Sequence, residues 1–132
     1  MSTFRELYNA DMTRYGGNPE LYLRIFHFLY RKSACAASTF GRFFYKVLFR
    51  LWANRRGLEI SSVGQIGGGL YIGHAYNITI NSKACLGDNC NIHKGVVIGQ
   101  TNRGANMGTP TIGCRVWIGI NAAIVGNITI GD

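Results

Sequence analysis

The chain has 132 residues, room for one domain or for a small domain with a helical arm, and 47% of them are hydrophobic, which excludes a wholly disordered protein. The formal net charge is +8, but residues 1–58 hold ten Lys/Arg against three Asp/Glu, and residues 59–132 hold four against three. The basic character belongs to the first part of the chain and excludes a nucleic-acid footprint spread over the whole fold. The cysteines Cys35, Cys85, Cys90 and Cys114 show no CxxC spacing and no zinc-ligand pattern with histidine, so no metal and a reduced, cytoplasmic setting are expected. The opening Met1-Ser2-Thr3-Phe4-Arg5-Glu6 has no signal-peptide pattern, and without a run of about 18 apolar residues no integral membrane segment is expected.

Residues 1–57 read as an N-terminal α-helical region. Residues 3–14 fit a short helix. Asn18 is predicted to cap a second helix, with Pro19 at its first position and Glu20 in its first turn, and Leu21, Ile25, Phe28 and Leu29 fall on one face. A third helix follows Ser38-Thr39. Its apolar residues Phe40, Phe43, Phe44, Val47, Leu48, Leu51 and Trp52 share one stripe, while Arg42, Lys46 and Arg50 line another face at four-residue steps. Arg55-Arg56 suit its C-terminal dipole and Gly57 closes it. The stripe has two readings: it packs on the rest of the protein or on a sister subunit, or the basic helix lies on an anionic membrane. His27 reads as structural.

After Gly57 the period becomes six. Ile60, Ile66 and Ile72 form one series, Ile80, Leu86, Ile92 and Ile98 a second shifted by two, and Ile112, Ile118, Ile124 and Ile130 a third. A helix repeats at 3.6 residues and a strand at 2, so neither explains this spacing. A parallel β-helix of hexapeptide repeats does, with the Ile or Leu inward and three hexads to a coil of about 18 residues. Residues 58–132 therefore read as a hexapeptide-repeat β-helix, expected to be incomplete at its C-terminus because the chain stops inside a hexad at Ile130-Gly131-Asp132. Cys90 takes an inward small-residue slot, Cys85 and Cys114 lie off the inward series, and His93 reads as exposed. The phase shift in Gly73-His74-Ala75-Tyr76-Asn77 and the insertion Gln100–Pro110 interrupt the repeat, and such interruptions on a rigid scaffold are where function is placed.

The run LEISSVGQIGGGLYIGHAYNITINSKACLGDNCNIHKGVVIG, followed by TPTIGCRVWIGINAAIVGNITIGD, resembles the serine acetyltransferases and related hexapeptide-repeat acyltransferases. The resemblance covers about residues 57–132. It implies a mainly β fold with N-terminal helices, a left-handed parallel β-helix, a homotrimer, and acetyl-CoA as co-substrate beside a small-molecule acceptor. The segment GHAYNITI matches the family's DHATGIVI-like segment, which places the catalytic base on His74 and its carboxylate partner, in a DI-like dipeptide, on Glu59. On the cofactor side the resemblance implies Gly99, Gly119 and Ile120, with Trp117 as either a cofactor flank or a subunit contact.

Two departures concern the acceptor. The family's Asp before the catalytic histidine is Gly73 here, and its Arg-His-Pro run is Gly108-Thr109-Pro110, so serine loses its expected charged partners. Gly73, Asn77, Arg103 and Thr109 remain the candidate acceptor residues, with a sugar or glycan hydroxyl fitting better than L-serine. The family's sulfhydrylase contact is made by a tail this chain lacks, so no such complex is expected. The alternative function is a non-catalytic trimeric scaffold whose basic helix meets a membrane or a protein partner.

Overall fold

The computed structural model describes residues 2–62 and 64–132. Helix α1 spans Phe4–Thr13 and opens on a capping box, in which the Thr3 hydroxyl accepts from the Glu6 N–H and the Glu6 carboxylate accepts from the Thr3 N–H. Helix α2 spans Leu21–Cys35 and starts later than its predicted cap. Asn18 instead accepts a hydrogen bond from Arg24 at 3.0 Å, and the Glu20 carboxylate pairs with Arg56. The buried face of α2 differs in part from the predicted one. Leu29 is buried and Ile25 half-buried, but Leu21 and Phe28 are exposed, and Tyr22, Leu23, Phe26, His27, Tyr30 and Arg31 are buried as well. The reason is that α2 packs against both α1 and α3, and polar side chains enter this face because a partner waits for them.

That partner is Asp11 of α1. Arg31 donates Nε and Nη2 to the two Asp11 oxygens at 2.8 and 2.9 Å, and reaches the Ile66 and Gly67 carbonyls at 3.0 and 2.7 Å. Asp11 also accepts from the Leu70 N–H at 2.9 Å and contacts His27 Nδ1 at 3.1 Å. Tyr15 completes the set: its hydroxyl oxygen accepts from the Ile72 N–H at 2.7 Å and lies 3.0 Å from His27 Nε2. The assignment that satisfies every atom has His27 Nδ1–H donating to Asp11 and Tyr15 O–H donating to Nε2. Burial works to raise the pKa of Asp11, but the hydrogen bonds from His27 and Arg31 outweigh it and hold the carboxyl below its ordinary range. His27 is structural, as expected, and the network fastens the helices to the first coil.

Helix α3 spans Thr39–Ala53, is capped by the Ser38 hydroxyl, and runs into a 3-10 turn at Asn54–Arg56 that ends on Gly57 at φ +67°. Of its predicted apolar stripe, Leu48 and Trp52 pack on this chain and the rest does not. Phe49 and Ala53 are its buried residues, with Tyr45, Leu48 and Trp52 half-buried, while Phe40, Phe43, Phe44, Val47 and Leu51 are exposed. The core takes the opposite face because Trp52 and Phe49 close on Tyr22, Phe26 and Tyr30 of α2.

Eleven short strands follow: β1 Leu58–Ile60, β2 Gln65–Ile66, β3 Tyr71–Gly73, β4 Ile78–Ile80, β5 Cys85–Leu86, β6 Asn91–His93, β7 Val97–Gly99, β8 Thr111–Ile112, β9 Trp117–Ile118, β10 Ala123–Val125 and β11 Thr129–Ile130. They form three parallel sheets, with β1, β4, β7 and β10 in the first, β2, β5, β8 and β11 in the second, and β3, β6 and β9 in the third. Each strand pairs with the one three places later, so the chain winds round a three-sided prism. The series isoleucines from Ile60 to Ile118, with Leu86, are buried inside it, and Ile124 and Ile130 are half-buried. Cys90 fills its inward slot and burial pushes its thiol pKa up.

Register records each interruption. The regular step is 18 residues, as from Thr79 to Val97 and from Thr111 to Thr129. It grows to 20 across the His74 corner, from Leu58 to Ile78, and to 26 across the later loop, from Asn91 to Trp117. The loop is pinched at its base by an antiparallel bridge between Thr101 and Gly108. At one corner Gly69, at φ +71°, sits under Asn89, at φ +61°, so closely that a Cβ on Gly69 would overlap the Asn89 amide.

Candidate functional site

The 20-residue step extrudes His74. It is exposed at φ +53°, and Asn77 follows at φ +52° with its N–H donating to the Arg56 carbonyl at 2.9 Å. Asn89, Arg115 and Asn121 share this left-handed backbone at other corners of the coil, so the two added residues are what set the His74 corner apart. Here it turns the imidazole away from the coil, on the edge where the third sheet passes into the first.

Beside it stands a residue that sequence reasoning placed wrongly. His93 pairs in register with Gly73 and is half-buried rather than exposed, its ring between Tyr71 at 6.2 Å and Trp117 at 4.8 Å. Its Nε2 is buried with no hydrogen-bond partner among the described residues. Burial, and then the nearby His74, lower its pKa. A Cβ on Gly73 would overlap the His93 ring. The place beside His74 that Gly73 leaves open is therefore filled by the imidazole of the next coil. The signal was available as the 20-residue step, which carries position 73 onto 93.

Glu59 is exposed on β1, opposite Thr79, whose hydroxyl donates to it at 3.4 Å. No Glu59–His74 hydrogen bond occurs among the described residues. Glu59 instead lines a cavity of about 740 Å³ between α3 and the first sheet, together with Phe43, Lys46, Val47, Arg50 and Thr79.

Gly119 and Ile120 follow β9 and share the edge of His74. The exposed Trp117 ring lies over Gly119, where a Cβ would meet it at 2.8 Å, and Ile120 is exposed. Gly99 ends β7 on the first sheet. A Cβ there would meet Val125 at an ordinary 3.6 Å, so this chain's own packing does not require the glycine. Arg103 is exposed in the 101–108 loop, and the Thr109 hydroxyl donates to the Lys83 carbonyl at 3.1 Å. That loop follows β7 on the next edge, where the first sheet passes into the second. Within one chain, His74 and the candidate acceptor loop thus lie on different edges.

This fold, a prism of hexapeptide coils carrying a helical arm, is similar to the folds of solved serine acetyltransferases. The soybean enzyme superposes with a TM-score of 0.80 over 98% of this chain and 57% of its own at 24% identity, and isoform 3 of Entamoeba histolytica with 0.75 over 98% and 50% at 25% identity. No family model matches the chain. In sequence, a serine acetyltransferase of Helicobacter pylori is 37% identical over 76 residues, covering 58% of this chain and 44% of that protein. WcaB of Escherichia coli, which carries the name of a colanic acid biosynthesis acetyltransferase, is 44% identical over 75 residues, covering 56% of this chain and 45% of its own. The chain thus resembles the hexapeptide-repeat acyltransferases in sequence and in fold, and it spans under half the length of these curated relatives. Among the described residues no helix is long and apolar enough to cross a membrane.

Proposed function

We propose that the protein is an acetyl-CoA-dependent O-acetyltransferase with His74 as its general base. The observation that carries this reading is the corner at 73–77, where the repeat breaks to present an exposed histidine in the segment that matches the family's catalytic one. His74 accepts the proton of an acceptor hydroxyl as the oxygen attacks the thioester carbonyl, and returns a proton to the departing thiolate, so free CoA and an O-acetyl ester leave. Glu59 orients the imidazole, and backbone N–H groups near the corner receive the oxyanion. Bound acetyl-CoA supplies the activated acyl group. Gly99, Gly119 and Ile120 hold its pantetheine arm, and Trp117 flanks it.

The two-edge arrangement supports a homotrimer, in which the 101–109 loop of one subunit, with Arg103 and Thr109, faces the His74 edge of another, and the resemblance supports a left-handed coil. The helices 1–57 form the arm of this assembly and residues 58–132 its coil, in a cytoplasmic, metal-free enzyme. The acceptor is a sugar or glycan hydroxyl. An ammonium needs an anion beside His74, and that place holds Gly73 backed by the ring of His93; Asn77 and Thr109 suit neutral hydroxyls. The exposed stripe of α3 favours a second reading, a non-catalytic scaffold. Release of CoA thiol with an acceptor series decides between them. His74→Ala is expected to lower turnover at least about 100-fold with an unchanged circular dichroism spectrum, and L-serine to be a poor acceptor. Unchanged turnover in the variant overturns the role of His74, and the absence of turnover on every acceptor returns the scaffold.

A further inference from the structure

Helix α3 turns an apolar face to solvent. Phe40, Phe43, Phe44, Val47 and Leu51 are between 43% and 79% exposed, and at 100° per residue they fall within an arc of about 100°. Arg42, Lys46 and Arg50 occupy the adjoining arc, and Arg55 follows in the 3-10 turn. Residues 39–56 include no Asp or Glu. Of the acids on the surrounding elements, Glu20 pairs with Arg56 and Asp11 with Arg31, and Glu59 lines the same cavity as Lys46 and Arg50 with no ion pair to either among the described residues. An exposed apolar stripe bordered by cations in excess of acids marks an interaction surface.

We infer that α3 is a peripheral anchor that lays this stripe on an anionic lipid bilayer, independently of whether the protein transfers acyl groups. The chemistry favours a bilayer over a second copy of the helix. Antiparallel mating of two α3 stripes about a twofold axis sets cation row against cation row, whereas an anionic headgroup layer takes the cations while the aromatic side chains enter the acyl boundary.

Flotation of the whole chain with vesicles of phosphatidylcholine, and of phosphatidylcholine mixed with phosphatidylglycerol, tests it. Binding is expected only to the mixed vesicles, weakening as salt rises. The combined variant R42E/K46E/R50E is expected to bind on the order of 100-fold more weakly, since each cation near an anionic surface contributes roughly fivefold. Phe44→Ser with Leu51→Ser, two exposed positions, is expected to abolish binding without changing the thermal midpoint. Equal binding to both vesicle types, or binding to neither, overturns the inference. So does a fall in sedimentation mass on Phe44→Ser/Leu51→Ser without vesicle binding by the parent chain, which assigns the stripe to a second copy.

Discussion

The two halves of the molecule bury different chemistry. Inside the coil the side chains are Ile, Leu, Val, Ala and Cys, and the backbone groups are satisfied by the neighbouring coil. Inside the helical arm, Asp11, His27, Arg31 and Ser33 are buried among Tyr30, Phe26 and Phe49. The coil spreads its stability over repeated layers, each contacting its neighbours. The arm concentrates its own in one charged knot that exists once, and a single charge removed there leaves several others bare.

The sharpest test is Arg31→Met. It strips Asp11 of its cation and leaves the Ile66 and Gly67 carbonyls without their donor, so a loss of about 3–5 kcal/mol is expected in urea unfolding. Because the knot spans both halves, fluorescence of Trp52 in the arm and of Trp117 on the coil should shift to lower midpoints together; a coil midpoint left in place would show that the halves unfold separately. Next comes Ile92→Ala, inside the middle layer, where a cavity costs about 3 kcal/mol. The same substitution at the half-buried Ile130 should cost clearly less, and equal losses would refute the layered picture.

The smallest expected effect is with acid. Asp11 titrates below its unfolded value, so the stability it contributes is present above the unfolded pKa of about 3.9 and is lost as pH falls through the lower folded value. Urea midpoints of the parent chain should fall in that window, and Asp11→Asn, already less stable at neutral pH, should show a shallower fall. A parallel slope in the variant would remove Asp11 from the acid response.

This contrast also explains what was legible. Eleven Ile or Leu positions in six-residue register state the coil many times over, and the two interruptions stood out against it. The corner of His74 could be located because it breaks that register. The arm states its arrangement once. A lone aspartate in an amphipathic helix reads as solvated, and only its pairing across helices corrects that: Asp11 lies in the last turn of α1 and Tyr15 in the turn that follows it, while His27 and Arg31 lie four apart on α2. The predicted α2 face held at Ile25 and Leu29 and missed at Leu21 and Phe28 for the same reason, since it counted only apolar residues. His93 was misplaced because exposure was read from its own hexad, while its surroundings come from Tyr71 one coil before and Trp117 one coil after.

The steps of 18, 20 and 26 residues carry a consequence for descent. Strands pair in the same order whether none, two or eight residues are added at a corner. Closing a flexible loop costs more only with the logarithm of its length, about 0.6 kcal/mol per doubling, so growth from the corner 74–77 to the loop 100–110 adds about 0.9 kcal/mol. Insertions of this kind stay within reach of ordinary mutation and leave the buried isoleucines where they are. The edge loops can therefore lengthen, shorten and change their chemistry by drift while the prism persists, and a lineage built on it can exchange one acceptor for another without passing through an unfolded ancestor.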